Sequence, residues 1–469
     1  VDDRARNEEV RDVETEMQPL DVPTTLSTMQ ERRRRGVAAR KKVGRRQLAE
    51  WSEDLRDRDP LDVIAQQDQI RDPELFGLRR SRMAISPWNF YRGAAGVMAA
   101  DLATQPDSGL DVQLCGDAHV LNFGLWATPE RNLMFDLRDF DETFPGPFEW
   151  DLKRLATSLV VAARVDGIRE KVALAAARAA ADAYRLRMAR YATMSELDIW
   201  YDGMHVDSLL SFFEPADRGR VSVHIEKQQR HRTSRGAFEK LTTAAGGRPR
   251  ITEDPPIRVA IGDAEQAALI DELLTEYRAT LQADRRSLFD RFTVTDVVRQ
   301  VVGVGSVGMR VYLVLLEGRS GTDPLFLQVK QAGPSVYESS ARPRQFIHDG
   351  ERVITGKRLV QSATDIFVGW GTLEGRHYYV RQFRDMKIVP KIELIGPSLV
   401  EFATACGETL ARSHARTGDA ASISAYMGRS PKFARSISSF AERYADQNDR
   451  DHARLVASLA EAAPAITAS

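Results

Sequence analysis

Residues 300–331 read QVVGVGSVGMRVYLVLLEGRSGTDPLFLQVKQ. Gly303, Gly305 and Gly308 stand in G-x-G-x-x-G spacing, with Ser306 between them. That spacing alone fits a dinucleotide fingerprint, the glycine-rich phosphate loop of a kinase, or a simple turn. The residues immediately after the glycines separate the three. A dinucleotide loop opens directly into a helix. Here Met309–Leu316 (MRVYLVLL) is apolar and β-branched, which predicts a strand. Strand, glycine turn and strand describe a hairpin that closes over nucleotide phosphates. The turn EGRSGTDP (317–324) then leads into Leu325–Val329, which ends at Lys330. A lysine in an apolar strand is costly unless paired. A phosphate and a glutamate on a nearby helix would satisfy it, whereas an edge-strand lysine would reach solvent. Glu338 and Glu351 are the candidates. Glu351 is preferred, because the predicted helix HDGERVITGKRLVQSA (348–363) leaves room for a turn before it.

Upstream, CGDAHVLNFG (115–124) and FDLRDFDE (135–142) gather Asp117, His119, Asn122, Asp136, Asp139, Asp141 and Glu142. Asp and Asn favour turns, so solvated turn acids are the plain alternative. These acids, however, sit among apolar stretches such as VQLCG and LMFDL. An Asp and an Asn five apart on one loop can divide the labour. Asp117 orients or deprotonates a hydroxyl, and the Asn122 amide oxygen holds a metal. Mg²⁺ takes one or two carboxylates plus substrate phosphates. Asp139 is the favoured carboxylate, with Asp136 as competitor. Asp117-Ala118-His119 also has the D-x-H form of binuclear metallophosphoesterases. Those sites need further histidines, and this chain holds only 8 in all.

The remainder of the chain frames these clusters. Hydrophobic residues make up 43% of 469 positions, enough for a sizeable core, and the net charge of −1 argues against a protein devoted to nucleic acid. Two cysteines, Cys115 and Cys406, make no zinc signature or disulfide framework, which predicts a cytoplasmic, reducing setting. No apolar run reaches the length of a membrane span, and VDDRAR at the start is unlike a secretory signal. The run RRRRGVAARKKVGRR (32–46) predicts a solvated basic arm or a contact for an acidic partner. Short strands are predicted over 112–142. Leu152, Leu155, Ala156, Leu159, Val160 and Ala163 mark a buried helix face. Further helices are predicted over Arg169–Ala192, Asp263–Phe289 and Leu399–His414, whereas 215–256 reads as a long polar connection. No internal repeat is visible. In FYRG (90–93), Tyr91 and Arg92 read either as site members or as a structural ion pair with the acidic loop.

GDAHVLNFG, DFDETFPGPFEWDLKRLA, VGVGSVG, LQVKQA, YYVRQFRDMK and LARSHARTGD, in that order, resemble the bacterial family labelled domain of unknown function 2252. The resemblance covers nearly the whole chain beyond the basic arm and implies a protein-kinase-like fold. The first cluster is also similar to small-molecule kinases of the aminoglycoside phosphotransferase type. Their H-G-D-x-H-x-x-N loop puts Asp117 in the catalytic place and Asn122 in the metal place, with Cys115 replacing the first histidine. Their I-D-F-D segment resembles Asp139-Phe140-Asp141, and their D-L-A resembles Asp151-Leu152.

In ordinary kinases the glycine loop precedes the catalytic Asp; here it comes after. The expected fold is therefore α+β, two-lobed and kinase-like, with circular permutation. Residues 1–83 form the basic arm. Residues 84–289 form a helical large lobe, 290–390 a small β lobe and 391–469 helices completing the large lobe. Tyr378–Phe383 would be the last strand before a hinge where Gln382–Arg384 hold adenine. His414 and Arg416 would line the site or, for His414, complete a helix C-terminus. The expected function is ATP- and Mg²⁺-dependent phosphoryl transfer to a hydroxyl acceptor. Transfer of AMP by a reversed nucleotide and a non-catalytic nucleotide-binding scaffold are the alternatives.

Overall fold

The computed structural model describes residues 27–462 apart from 232, 246–247, 302, 304, 320–322, 340–341, 384–386 and 389–394. The chain is a mixed α+β protein with a helical unit and a six-stranded sheet unit. It begins with α1 (Met29–Lys42), α2 (Pro60–Asp68), α3 (Phe76–Ala84), α4 (Pro87–Gly93) and α5 (Ala95–Ala103). Thr28 and Glu31 start α1 with a reciprocal capping box.

Strands β1 (Asp111–Leu114), β2 (Phe123–Ala127), β3 (Leu133–Leu137) and β4 (Phe144–Pro147) come next, as the sequence predicts for 112–142. β1 pairs with β4, and β2 with β3, both antiparallel. After them lie α6 (Phe148–Val165), α7 (Glu170–Tyr191), α8 (Glu196–Tyr201), β5 (Met204–His205) and α9 (Val206–Ser211). The predicted apolar face of α6 is buried, but so are Lys153, Arg154, Thr157 and Ser158 on its other sides. This helix runs through the centre of the unit.

Residues 215–256 correct the sequence reading. They form α10 (Pro215–His231), α11 (Ser234–Leu241) and a hairpin of β6 (Thr242–Ala245) and β7 (Arg248–Ile251). Polar residues all around α10 leave no apolar stripe to read. Ala237 and Leu241, with Phe238 beside them, anchor α11. β8 (Arg258–Ala260) comes next. The single helix predicted over 263–289 is divided into α12 (Asp263–Ala268), α13 (Thr275–Thr280) and α14 (Ala283–Phe289), with a wider π turn at Leu269–Leu274.

The sheet unit contains β9 (Thr293–Gln300), β10 (Val311–Glu317), β11 (Pro324–Gln331), α15 (Asp349–Val360), β12 (Gly369–Leu373) and β13 (Arg376–Gln382). Its order is β12-β13-β11-β10-β9-β8, all antiparallel. Strand alternation sorts the side chains. Tyr312, Val314, Leu316, Leu327, Val329, Tyr378 and Val380 pack on Tyr277 and Phe289. On the opposite face, Leu313, Leu315 and Phe326 pack on Ala237, Leu241 and Ile251.

The chain returns to the helical unit with α16 (Leu399–Ala415), α17 (Ala420–Met427) and α18 (Lys432–Ala462). The buried alanines of α7, Ala173, Ala176, Ala177 and Ala180, let α16 approach closely. A side chain at Gly407 would lie 2.1 Å from the Ala180 carbonyl oxygen. The basic run is docked as α1 against α17. Arg32 pairs with Asp419, while Arg40 and Arg45 donate to the carbonyls of Ala425 and Met427 at 3.0 and 2.7 Å. Arg40 and Arg45 meet the C-terminal end of α17, where its dipole is negative, and Arg32 meets its N-cap, Asp419.

Candidate active site

The loop after β1 is fixed from beneath by buried groups. Asp151, in the first turn of α6, accepts the backbone N–H groups of Cys115 and Gly116 at 2.8 and 3.1 Å. Its Oδ2 also meets His414 Nε2 at 3.2 Å, and His414 Nδ1 lies 2.9 Å from the Tyr184 hydroxyl. Ser158 accepts from the Val120 N–H at 2.9 Å. Gly116 takes φ +87°, and a Cβ there would stand 2.1 Å from the Glu142 carbonyl oxygen.

This frame presents Asp117. Its Oδ1 accepts from Arg154 Nε at 2.8 Å, while Oδ2 lies 3.7 Å from His119 Nε2. The side chain keeps 20% exposure, and Arg154 only 1%. Arg154 also donates to the Tyr91 carbonyl at 2.7 Å. Asn122 donates its amide nitrogen to the Asp117 carbonyl at 2.6 Å, which leaves the amide oxygen as the group able to hold a cation. Burial pushes the His119 imidazole down to about 3, against the pull of Asp117, so it is neutral at ordinary pH.

The opposite wall is the glycine turn between β9 and β10. Gly303, Gly305 and Ser306 face the same cavity as Asp117, His119, Asn122 and Asp139. Gly308 (φ +86°) is a turn position outside that wall. Its carbonyl accepts the Asp72 N–H at 2.8 Å, and the Val307 carbonyl accepts from Arg71 at 2.6 Å. The cavity measures about 660 Å³ and runs past Glu338 and Glu142 to the small residues of α5 and the polar side chains of α2.

Lys330 is buried at the end of β11 and ion-paired to Asp141, which also accepts from the Tyr379 hydroxyl at 2.6 Å. Burial would lower the Lys330 amine, but Asp141 and Asp139 hold it protonated, above its ordinary range. Asp139 has one oxygen, Oδ1, buried without a hydrogen-bond partner among the described residues. Burial would raise its carboxyl. The charges of Lys330, Arg381 and Arg138 outweigh that and hold it ionised, below the usual range.

Several sequence expectations change here. The partner of Lys330 is Asp141, 189 residues away, rather than Glu351. Glu351 lies half-buried in the first turn of α15, and burial raises its carboxyl. Glu338 lines the cavity and accepts from the Ser335 N–H at 3.1 Å. Asp136 is withdrawn from the competition with Asp139. It is fully buried in β3 and accepts from Arg412 at 2.5 Å and from the Ser362 N–H and hydroxyl, each at 2.8 Å. His414 positions the Asp117 loop through Asp151, but does not line the cavity. Arg416 stacks 3.7 Å from the centre of the Trp200 ring, also away from the cavity. Gln382 gives its side-chain amide to Ser234 of α11 at 3.3 Å and does not line the cavity. Arg384, the other hinge residue, lies outside the described residues.

Sequence reading gives Glu142 no role, although its acidic cluster is visible there. Burial pushes its carboxyl up to about 7, and its Oε2 accepts the Val336 N–H at 2.9 Å. Arg71 and Arg154 are also silent in the sequence, because nothing local distinguishes them from surface arginines.

Asn122 and Asp139, both lining the cavity, carry oxygen donors of the kind a magnesium ion takes. Among the described residues no three His, Cys, Asp or Glu side chains converge as a closed metal cage. An orphaned Asp139 oxygen and an Asn122 amide match an ion completed by substrate phosphates and water.

A model of a family described as "Uncharacterized protein conserved in bacteria (DUF2252)" matches residues 71–458. No curated protein and no solved structure matches the chain.

Proposed function

The chain belongs to the DUF2252 family, and on that premise we propose an ATP- and Mg²⁺-dependent phosphotransferase of kinase-like, permuted fold acting on a hydroxyl acceptor. One observation carries this reading. Two stretches nearly two hundred residues apart form opposite walls of one cavity, with the glycine turn facing Asp117, Asn122 and Asp139 and with Lys330 bound to Asp141. The element series supports it too: a glycine hairpin, a third strand carrying a buried lysine, then a helix.

Each residue has a defined task. The backbone at Gly303, Gly305 and Ser306 approaches phosphates without side-chain interference. Lys330, fixed by Asp141 and Tyr379, supplies positive charge at the phosphates. Asn122 and Asp139 hold magnesium, which supplies charge neutralisation on the phosphate oxygens. Arg154 fixes Asp117, so that its free oxygen accepts the acceptor's hydroxyl proton. The acceptor oxygen bonds to the terminal phosphorus as the bond to ADP breaks, and the proton passes from Asp117 to solvent. Catalysis of this kind is positioning and charge stabilisation.

AMP transfer is the second reading, favoured by the sheet beyond Lys330. Gln328, two residues before Lys330 in β11, accepts from Arg381 of β13 at 2.9–3.0 Å, where an adenine would want apolar walls. Buried cations suit phosphates better than a base. Incubation with Mg²⁺-ATP and candidate hydroxyl compounds, then mass spectrometry, separates an added phosphate from an added AMP. Asp117→Asn should reduce the rate by about 10²-fold or more. Full activity in that variant would end both readings.

A further inference from the structure

Two arginines beside Asp117 differ in what they touch. Arg154 is fully engaged by Asp117 and the Tyr91 carbonyl. Arg92, in α4, lines the cavity and has neither an ion pair nor a hydrogen bond among the described residues. Its Nε is buried without a partner. Its guanidinium lies 5.9 Å from the centre of the Trp88 ring. The Arg92 carbonyl stands 3.2 Å from where a Cβ on Gly305 would be, so α4 touches the glycine turn. Arg71 enters the same cavity from the segment after α2. Two of its nitrogens are bonded to the carbonyls of Val307 and Gln67 at 2.6 and 3.2 Å.

Burial disfavours the Arg92 charge, Asp117 and Asp139 offset part of that at longer range without hydrogen-bonding it, and an anion seated on its free N–H groups completes the compensation. A structural counter-ion for the acidic loop is already present in Arg154, so Arg92 is not needed for that. Guanidinium forks suit phosphate oxygens in particular.

We propose that Arg92, assisted by Arg71, forms a phosphate-recognition site next to Asp117, built by the N-terminal helices beside the glycine turn. Its ligand is either the terminal phosphate of the nucleotide or a phosphate carried by the acceptor. Only the first of these rests on the reading of the cavity as a nucleotide site.

Isothermal titration of the full chain with Mg²⁺ tests it, using ATP, ADP and AMP, and then inorganic phosphate added to protein saturated with a non-hydrolysable ATP analogue. For a terminal-phosphate site, Arg92→Ala weakens ATP by about 10- to 100-fold and leaves AMP unchanged. For an acceptor-phosphate site, nucleotide binding is unchanged and binding of inorganic phosphate is lost. Arg92→Lys keeps the stem against Trp88 and guards against misfolding of the Ala variant. It should bind the phosphate more weakly than the parent, because an ammonium cannot fork. Parent-like binding of every probe by both variants overturns the proposal, as does a parent that binds neither nucleotide nor phosphate. If the parent binds phosphate through Arg92 but no nucleotide, the site stands and the ATP reading falls.

Discussion

The two walls of the cavity are built to different tolerances. The loop bearing Asp117 is held by Asp151, Ser158 and Arg154, all buried in α6. The glycine turn is held mainly by backbone carbonyls that accept from Asp72, Arg71 and Arg82 of the N-terminal segment. Gly116 and Gly308 show the contrast at one atom each. Both have positive φ, but a Cβ at Gly116 would meet backbone at 2.1 Å, and one at Gly308 would meet the Arg71 side chain at 2.9 Å. Rigidity is concentrated at the Asp117 loop, and compliance at the glycine turn.

That contrast can be broken in graded steps. Gly116→Ala should cost more than about 4 kcal/mol, since neither backbone can yield. Denaturant unfolding checks it, and a variant as stable as the parent would contradict the fixed loop. Asp151→Ala strips two backbone N–H groups and His414 of their shared acceptor and should cost about 3–5 kcal/mol. A loss below about 1 kcal/mol, measured the same way, would mean that the loop is held elsewhere. Gly308→Ala, followed by the same denaturant unfolding, should cost only about 1–2 kcal/mol, chiefly through φ.

The smallest effect is a pH dependence in the sheet unit. The His348 Nδ1 caps α15 by accepting the Glu351 N–H at 3.2 Å. Burial first, and then His377 with its ring centre 4.1 Å away, lower the His348 imidazole to about 4. The neutral ring is favoured in the folded state, so its contribution is complete above about pH 6.5 and drains as pH falls towards 4. His348→Ala should cost about 1 kcal/mol at pH 7 and flatten the slope of stability between about pH 6.5 and 4. An unchanged slope in that variant would remove His348 as the cause.

The parts of the fold legible in the sequence are those set by periodicity and spacing. The β9–β10 hairpin is legible because MRVYLVLL cannot open a helix, and α6 and α7 because their apolar faces repeat. The strand ending at Lys330 is legible, but its counter-ion is not. Asp141 and Glu351 carry the same charge, and only the packing of distant segments selects between them. Intervals decide nothing between Asp136 and Asp139, since the one from Asn122 favours Asp136 and the one to Asp151 favours Asp139. Strand alternation turns Asp136 towards Arg412 and Ser362, whereas Asp139 lies beyond the end of β3. α10 escapes sequence reading because its polar faces carry no stripe. Arg92 stands out in its motif, but its lack of a partner is a property of three dimensions only.

The bond between Asp151 and His414 joins positions 263 residues apart. A ribosome adding roughly 5–20 residues per second needs about 13–50 s to make that interval. Throughout it, the nascent Asp117 loop lacks its last anchor, while the whole sheet unit emerges in between. A stalled or truncated product ending before α16 would carry every proposed reacting group and still lack the His414 bond that positions Asp151 beneath them.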